Sequence, residues 1–550
     1  MRYVAPRHAG WLVMLVILVW FGNLEYRTLI RPDEGRYAEI PREMVVSGDW
    51  TTPRLNDLKY FEKPPLQYWA TASAYTIFGE HQWTSRLWTA LTGFAGIVLV
   101  WFAGMRLFGR ETGWYASLLL GSSLLYVMMG HANTLDMGVT FFITLGIVGL
   151  LLGQTATHAR DQRNAMWLAW AGMGLAVLSK GLMGIILPGT AVLLYAALHR
   201  DLGVLKRMHW LSGLLIFFAI TAPWFYQVMQ ANPEFFQRFF IYEHYTRFTT
   251  KDLGRYQPWY YFVPILLGGL LPWTLLMFNS LLHGWHIQSN YSPYGKSFHP
   301  ARFLLIWAVF IYVFFSISGS KLPSYLLPMC PALALLMGKR LAEMRAKTLF
   351  WLLLPLIPLP VVWMALAMNL GDYADTILQK TLYPHYIPWL VTGAGALLAG
   401  LLGACVLLAR ERKAEAVMLL ALAALLGGQI SLTGYESVAQ ERSGKHIANA
   451  IRQHVTPTIP FYSVMTYEQT LPFYLERTFT LVAYQDEMAF GIQQEPQRWI
   501  PTLEAFAQQW QKQPAALAIM PAVGWPKVQA LGLPMQIIYQ DTQHVVVKKP

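Results

Sequence analysis

The stretch Arg31-Pro32-Asp33-Glu34-Gly35-Arg36-Tyr37 begins a polar loop that follows the first hydrophobic segment and ends near Arg86. The same loop contains Tyr60-Phe61-Glu62-Lys63-Pro64-Pro65-Leu66 and, close to its end, His81. Carboxylates, cations and a histidine beside a bilayer surface favour chemistry on a lipid-borne substrate that contains phosphate. We therefore interpret the rest of the chain as a scaffold that holds the 31–86 loop over a membrane cavity.

The composition is that of a membrane protein. Of the 550 residues, 55% are hydrophobic and only 13% are charged, whereas about a quarter of a soluble protein is charged. The formal net charge of +12 would suit nucleic acid or anionic lipid, but membrane proteins also collect Lys and Arg in cytoplasmic loops. We therefore expect the lipid bilayer as a partner and no nucleic acid. Both cysteines, Cys330 and Cys405, lie in apolar runs, so a structural disulfide is not expected.

Apolar runs of about 20 residues predict about thirteen transmembrane helices. The first run follows Arg2 and Arg7 and has no small-residue cleavage site after it, so we interpret it as a retained helix. With the N-terminus in the cytoplasm, the short inside loops are rich in cations, which places the 31–86 loop, the 229–257 loop and the C-terminal tail outside. The predicted spans cover residues 9–29, 86–106, 111–129, 136–155, 165–180, 182–199, 209–228, 258–280, 302–318, 322–339, 348–369, 386–409 and 415–432.

The 31–86 loop is predicted to contain two short helices. Residues from Gly35 to Ser47 have helical spacing of apolar side chains, and Pro64 and Pro65 suit the first turn of a second helix that runs to about Phe78. Both helices are rich in aromatic residues, which favours a position in the plane of the membrane interface. The alternative is a pair of ordinary surface helices packed on the bundle.

The character of the chain changes after residue 433. Short β-like apolar runs alternate with helical stretches, which predicts a soluble α/β domain over residues 434–550, outside the membrane domain of residues 1–433. This segment has no glycine-rich phosphate loop, no zinc-ligand spacing and no nucleophile motif. We therefore expect it to cap or dock on the membrane domain and not to contain a second active site.

Three residues are candidates for catalysis: Asp33, Lys63 and Asp136. Asp33 follows a proline and Asp136 starts a helix at another outside turn, so helix capping would also explain both. Against capping alone, several arginines crowd the site around Asp33. The two prolines after Lys63 fix this lysine as a point charge suited to a phosphate, and contact with lipid headgroups is the alternative.

Other charged and aromatic residues at the outer face are candidates for binding the substrate. Lys180 and Lys321 stand at outside turns, where snorkelling to the interface is the alternative. Glu62 and His81 would share a divalent metal ion, although their spacing is not specific and His81 could be an ordinary interfacial residue. The candidates for substrate binding are Glu34, Arg36, Tyr37, Tyr60, Lys180, Arg247, Lys321 and Tyr325.

Many spans, an Asp-Glu pair in a large first outer loop and a soluble C-terminal domain together resemble the GT-C glycosyltransferases, which use polyprenyl-phosphate sugars. Within that fold class, residues 31–40, 61–69, 179–181 and 321–328, together with Asp136, resemble the bacterial aminoarabinose transferases of lipid A, relatives of the protein O-mannosyltransferases. The resemblance covers the membrane part and, more loosely, the C-terminal domain.

The resemblance implies transfer of 4-amino-4-deoxy-L-arabinose from undecaprenyl phosphate to lipid A phosphates at the periplasmic face of the inner membrane, and hence resistance to polymyxin. Charge would build on the leaving phosphate, so Lys63 and Arg36 would stabilise it, with hydrogen bonds from Tyr37 and Tyr60. Asp33 would act as a base for an acceptor hydroxyl, orient an acceptor phosphate, or bind the sugar's ammonium group with Asp136. Direct displacement implies inversion at the anomeric carbon. We expect a monomer.

Two alternatives stay open at this point. The same fold could move a different polyprenyl-phosphate-linked sugar to a protein, a glycan or another lipid. A transporter or flippase is the other class, but transporters place charges at mid-membrane and often consist of two related halves. Here the charged motifs gather at one face, and the sequence shows no repeat.

Overall fold

The computed structural model describes residues 9–246, 257–286 and 298–550. The larger part is a helical bundle, to which the helices of the 31–86 loop are attached. A π-helix, Gln237–Thr246, follows the eleventh helix. In chain order the helices are α1 (Ala9–Phe21), α2 (Asp33–Ser47), α3 (Leu66–Phe78), α4 (Gln82–Phe108), α5 (Arg110–Ser122), α6 (Leu124–Met129), α7 (Leu135–Thr155), α8 (Ala159–Lys180), α9 (Met183–His199), α10 (Gly203–Lys206), α11 (Trp210–Ala231), α12 (Phe262–Gly269), α13 (Thr274–Gly284), α14 (Pro300–Ile317), α15 (Cys330–Glu343), α16 (Ala346–Leu353), α17 (Pro358–Met368), α18 (Ile377–Ala409) and α19 (Lys413–Gly434).

Seven helices in the described ranges are long and apolar enough to cross a bilayer, and an eighth is obtained if one pair bent by 111° counts as a single span. That pair comprises α12, with the short turn before it, and α13. The other predicted spans fall on α1, α5, α8, α9 and α15, which do not meet the length and hydropathy conditions by themselves. The structure therefore confirms a polytopic helical membrane protein, whereas the number of thirteen crossings stays a prediction.

Small residues allow the central helices to approach closely. A Cβ atom on Gly172 of α8 would lie only 2.6 Å from the backbone nitrogen of Gly146 on α7. In a bilayer, where lipid is as apolar as leucine, close backbone packing of this kind is a main source of helix association. Helices α7 and α8 therefore form a closely packed pair, and the first residues of α7 line a cavity.

The two predicted loop helices are present as α2 and α3, joined by a short hairpin of β1 (Arg54–Leu55) and β2 (Leu58–Lys59). Every residue of α2 from Glu34 to Met44 is buried. Its apolar side chains join a cluster that includes Tyr68 of α3 and Leu471 of the C-terminal domain. Helix α2 is therefore enclosed by other parts of the protein, and its position in the plane of the membrane interface stays a prediction.

The C-terminal domain contains the predicted α/β sheet. Its elements are α20 (Lys445–Ile451), β3 (Phe461–Val464), α21 (Leu471–Leu475), β4 (Thr480–Val482), α22 (Ala489–Gln494), β5 (Trp499–Ile500), α23 (Leu503–Lys512), β6 (Leu517–Pro521), α24 (Trp525–Gln529), β7 (Gln536–Gln540) and β8 (His544–Lys548). The six strands have the order β5-β4-β3-β6-β8-β7, parallel from β5 to β6 and antiparallel beyond. One face of the sheet packs on the cluster around α2, and the other covers Phe506 and Trp510 of α23.

Candidate active site

A cavity of about 220 Å³ lies where the 31–86 loop meets the ends of several bundle helices. Its walls come from the first turn of α2, the segment before α3, the start of α7 and the end of α8. A short helical segment before α15, Pro323–Met329, closes another side. The predicted residues that line this cavity are Asp33, Arg36, Tyr37, Glu62, Lys63, Asp136, Lys180 and Tyr325.

The first turn of α2 carries an ion pair at the edge of the cavity. Asp33 is the first residue of the helix, and its Oδ1 accepts a hydrogen bond of 2.6 Å from Nη2 of Arg36. Nη1 of Arg36 donates to the hydroxyl of Tyr60 and to Oε2 of Glu487, each at 2.7 Å. The guanidinium of Arg36 is therefore hydrogen-bonded to Asp33, Tyr60 and Glu487. The side chain of Asp33 remains 43% exposed.

The opposite wall brings together three motifs that are far apart in the sequence. Nζ of Lys180, at the end of α8, donates a hydrogen bond to Oδ1 of Asp136 in the first turn of α7. The same ammonium group lies 5.1 Å from the ring centroid of Tyr325, a distance typical of a cation–π contact. The structure thus brings Asp136, Lys180 and Tyr325 together on one wall of the cavity.

Glu62 and Lys63 form a third side of the cavity, just before α3. Nζ of Lys63 donates to the backbone carbonyl of Glu62 at 2.9 Å and lies 3.9 Å from its Oε2. Pro65 occupies the N-cap position of α3, so the helix start fixes the backbone from which both side chains extend. Lys63 therefore extends into the cavity lining from a backbone that the two prolines restrain, and its role as a cation for a phosphate stays a prediction.

Glu34 was predicted to bind substrate, but the structure places it behind the cavity. Its Oε1 accepts hydrogen bonds from Nε of Arg86 (2.8 Å) and the backbone nitrogen of Asn133 (3.0 Å). Its Oε2 accepts from Nη2 of Arg86 (2.8 Å) and the nitrogen of Ile30 (3.1 Å). Burial opposes ionisation, but the Arg86 guanidinium holds the pKa of Glu34 below its ordinary value. These four bonds use the acceptor capacity of a carboxylate. Glu34 therefore links the start of α2 to Arg86 of α4 and to the segment before α7, and it does not line the cavity.

The remaining predicted residues lie outside the cavity lining. Tyr60 is buried and supports Arg36 from behind. Lys321 donates to the backbone carbonyls of Gln257 (2.8 Å) and Ser318 (2.5 Å) and so ties two chain segments together. His81 is the N-cap residue of α4 and stacks on Trp83. Arg247 falls outside the described residues.

The aminoarabinose transferase C-terminal domain family matches residues 447–549, and the dolichyl-phosphate-mannose-protein mannosyltransferase family matches residues 62–226. The crystal structure of ArnT from Cupriavidus metallidurans bound to undecaprenyl phosphate is similar over 99% of both chains, with 36% identity and a TM-score of 0.93. The chain belongs to the ArnT family of aminoarabinose transferases.

Curated relatives in the ArnT family agree over a shorter stretch. An undecaprenyl phosphate-alpha-4-amino-4-deoxy-L-arabinose arabinosyl transferase of Pseudomonas fluorescens is 33% identical over 318 residues, which is 57% of this chain and 52% of the relative. The corresponding protein of Edwardsiella ictaluri is 34% identical over 336 residues, which is 60% of this chain and 59% of the relative. The match thus spans little more than half the length of these relatives. The archaeal oligosaccharyltransferase AglB from Archaeoglobus fulgidus, at 12% identity and a TM-score of 0.50, shows the shared fold alone.

The two residues predicted to hold a metal ion differ in their relation to the cavity. Glu62 lines the cavity, whereas His81 does not and begins α4. Within residues 9–246, 257–286 and 298–550 no group of three or more His, Cys, Asp or Glu side chains could hold a metal ion. A metal ion held by Glu62 and His81 stays a prediction.

Sequence reasoning missed two acidic residues of the site. Glu243 of the π-helix lines the cavity and pairs with Arg238 at 2.9 Å. Glu487 reaches Arg36 from the C-terminal domain. Glu243 had a signal, because it lies in the 229–257 loop, which the sequence predicts to be on the same side of the membrane as Asp33. Glu487 had none, since a single acidic residue in a soluble domain predicts nothing about a contact that lies 451 positions away.

Proposed function

We propose that the protein transfers 4-amino-4-deoxy-L-arabinose from undecaprenyl phosphate to phosphate groups of lipid A, at the periplasmic face of a Gram-negative inner membrane. Membership of the ArnT family supports the reaction, and the similar ArnT of Cupriavidus metallidurans was solved with undecaprenyl phosphate bound. The distribution of cations among the loops supports the periplasmic orientation. The proposed partners are the lipid-linked donor, the lipid A acceptor and the bilayer, and the protein is proposed to act as a monomer.

The observation that carries the proposal is the arrangement of charge around the cavity. Among the described lining residues, the cations are Arg36, Lys63 and Lys180, and the carboxylates are Asp33, Glu62, Asp136 and Glu243. The cations suit the phosphates of donor and acceptor, and the carboxylates suit the ammonium group of an amino sugar. A cavity with cations alone would favour a neutral sugar on a phosphate carrier.

In the proposed reaction an oxygen of the lipid A phosphate attacks the anomeric carbon of the sugar. The bond from that carbon to the undecaprenyl phosphate oxygen breaks, and undecaprenyl phosphate leaves with the bonding electron pair. Negative charge increases on the leaving oxygen in the transition state, where the rigidly held Lys63 and Arg36 stabilise it. Because the attacking and leaving oxygens lie on opposite sides of the carbon, its configuration is inverted.

The acceptor determines what Asp33 does. A lipid A phosphate is already anionic at neutral pH, so the attack needs no base. Asp33, facing Arg36 at the cavity edge, then holds the donor's ammonium group and orients the sugar, with Asp136 on the opposite wall as a second anion. Each transferred sugar adds a positive charge to lipid A. The outer surface becomes less anionic and attracts polymyxin and other cationic peptides less strongly.

Purified protein in nanodiscs, supplied with defined donor and lipid A, tests the proposal. We expect mass spectrometry to detect lipid A with added aminoarabinose, and nuclear magnetic resonance of the product to show inversion. Light scattering in detergent checks for a monomer. Absence of transfer to lipid A, with transfer of the same sugar to another acceptor, would overturn the acceptor assignment.

The match of residues 62–226 to the mannosyltransferase family favours a second candidate. In that case the same cavity would bind a different polyprenyl-phosphate-linked sugar and pass it to a protein or glycan hydroxyl, with Asp33 as the general base. Lipid A from cells with and without the gene distinguishes the two, because only the first function changes its mass.

A further inference from the structure

The C-terminal domain contacts the segment that leads into α2 at successive positions. The backbone nitrogen of Leu29 donates to the hydroxyl of Tyr474 at 2.7 Å, and that of Arg31 donates to the carbonyl of Arg442 at 2.8 Å. The guanidinium of Arg31 pairs with Glu468 at 3.0 Å. The segment that leads into Asp33 is therefore bonded to the C-terminal part of the chain before the helix begins.

Gly35 provides the closest contact between the two parts. A Cβ atom at this position would lie 2.6 Å from the carbonyl oxygen of Gln469 and 2.8 Å from Cγ2 of Thr470. Distances of this size do not occur between a real Cβ and backbone atoms, so the Gln469–Thr470 backbone needs a glycine beneath it. The close packing of the C-terminal domain on α2 thus explains the glycine in the Asp33-Glu34-Gly35-Arg36 motif.

Glu487 extends from this contact to the cavity wall. Its Oε2 accepts a 2.7 Å hydrogen bond from Nη1 of Arg36, and its Oε1 accepts a 2.8 Å bond from Nε2 of Gln469. The Glu487 side chain is 13% exposed and that of Arg36 is 6% exposed, so water screens the pair little. Glu487 does not line the cavity, whereas Arg36 does. The carboxylate therefore lies behind the guanidinium as seen from the substrate.

We propose that the C-terminal domain contributes a positioning residue to the active site. Glu487, itself oriented by Gln469, holds the guanidinium of Arg36 in place. This inference rests on the proposed function, because it assumes that Arg36 serves the phosphate of the donor. Without Glu487 the guanidinium of Arg36 keeps its hydrogen bonds to Asp33 and Tyr60 but loses its third side-chain partner, so its orientation is less restrained. A small displacement of a charge that must face a developing anion costs about tenfold or more in rate.

Glu495 provides a matched control. It joins the same domain to the same loop, through hydrogen bonds of 3.0 and 3.1 Å from Nη1 of Arg54, and its side chain is 12% exposed. Neither Glu495 nor Arg54 lines the cavity. Glu495→Gln therefore weakens domain docking to a similar degree as Glu487→Gln without touching Arg36.

The experiment uses full-length protein and measures undecaprenyl phosphate affinity, kcat and KM of transfer, and melting temperature for each variant. We expect Glu487→Ala to lower kcat/KM about tenfold. Glu487→Gln should show a smaller loss of kcat/KM than Glu487→Ala, since its amide oxygen still accepts a hydrogen bond from Arg36. Glu495→Gln should transfer at the wild-type rate. On an Arg36→Gln background, Glu487→Ala should add no further loss, because the two residues act as one unit.

Three results would overturn the inference: wild-type transfer by Glu487→Ala, an equal loss in Glu495→Gln, or additive losses in the double variant. The melting temperatures identify a variant that is merely unfolded, and Glu487→Gln, which keeps the shape of the side chain, replaces Glu487→Ala in that case. Wild-type protein that neither binds undecaprenyl phosphate nor transfers sugar would instead overturn the proposed function, and the inference with it.

Discussion

Two groups of polar and charged residues lie on opposite sides of the first turn of α2. The cavity cluster consists of Asp33, Arg36, Lys63, Asp136 and Lys180, and the buried junction consists of Glu34, Arg86 and Asn133. The Asp33 side chain is 43% exposed, whereas its neighbour Glu34 is 3% exposed. Charge that remains accessible can meet a substrate, while charge whose hydrogen-bonding capacity is filled by the protein only holds the fold. Adjacent acidic residues therefore have different roles.

The largest expected effect in this comparison is on the cavity cluster. Lys63→Ala should reduce transfer by about a thousandfold, because a cation aimed at the leaving phosphate is removed. The melting temperature should hardly change, since the ammonium group serves no packed core. Lys59→Ala is the control: Lys59 lies in the same loop and pairs with Glu234 at 2.6 Å, yet it does not line the cavity. Near wild-type transfer by purified Lys63→Ala would remove this lysine from the mechanism.

Asp33→Asn should reduce transfer by at least about a hundredfold while the protein folds and inserts normally. The change keeps the shape of the side chain and its ability to accept a bond from Arg36, but it removes the negative charge. If Asp33 served only the helix start, asparagine would replace it at little cost. Single-turnover transfer rates and melting curves of the same preparations distinguish the two roles. Full activity of Asp33→Asn would indicate that Asp136, and not Asp33, supplies the negative charge.

Glu34→Gln should show the opposite pattern, with a smaller loss of transfer per folded molecule and a larger loss of stability. The amide leaves Arg86 buried without an anionic partner, and breaking a buried ion pair in this way costs about 3–5 kcal/mol. Thermal unfolding in detergent measures the effect. A Glu34→Gln protein as stable as Asp33→Asn would show that the buried junction does not stabilise the fold.

The smallest expected effect is at His81. Because His81 caps α4 outside the cavity lining, His81→Ala should change transfer by less than about twofold, in line with the modest cost of losing an N-cap. Treatment with EDTA should have an equally small effect. Parallel losses after His81→Ala, Glu62→Gln and EDTA would instead support the divalent ion that the sequence suggested.

Much of the architecture follows from local sequence. Long apolar runs specify spanning helices because backbone groups in lipid must be bonded within their own segment. The prolines before Leu66 and the apolar spacing after Gly35 predicted α3 and α2, since both signals act within one or two helical turns. The alternation of short apolar runs after residue 433 predicted the sheet, although the two-residue strand β5 was too short to give a pattern.

The sequence by itself predicted that Asp33, Lys63, Asp136, Lys180 and Tyr325 lie on one face of the membrane, because the distribution of cations places their loops and turns on the same side. Only the tertiary structure decided that Asp33 faces the cavity and Glu34 faces Arg86. Consecutive residues on a helix point about 100° apart, and nothing local states which direction is the cavity. Only the tertiary structure also joined Glu487 to Arg36, since a contact across 451 positions depends on how two separately folded parts pack together.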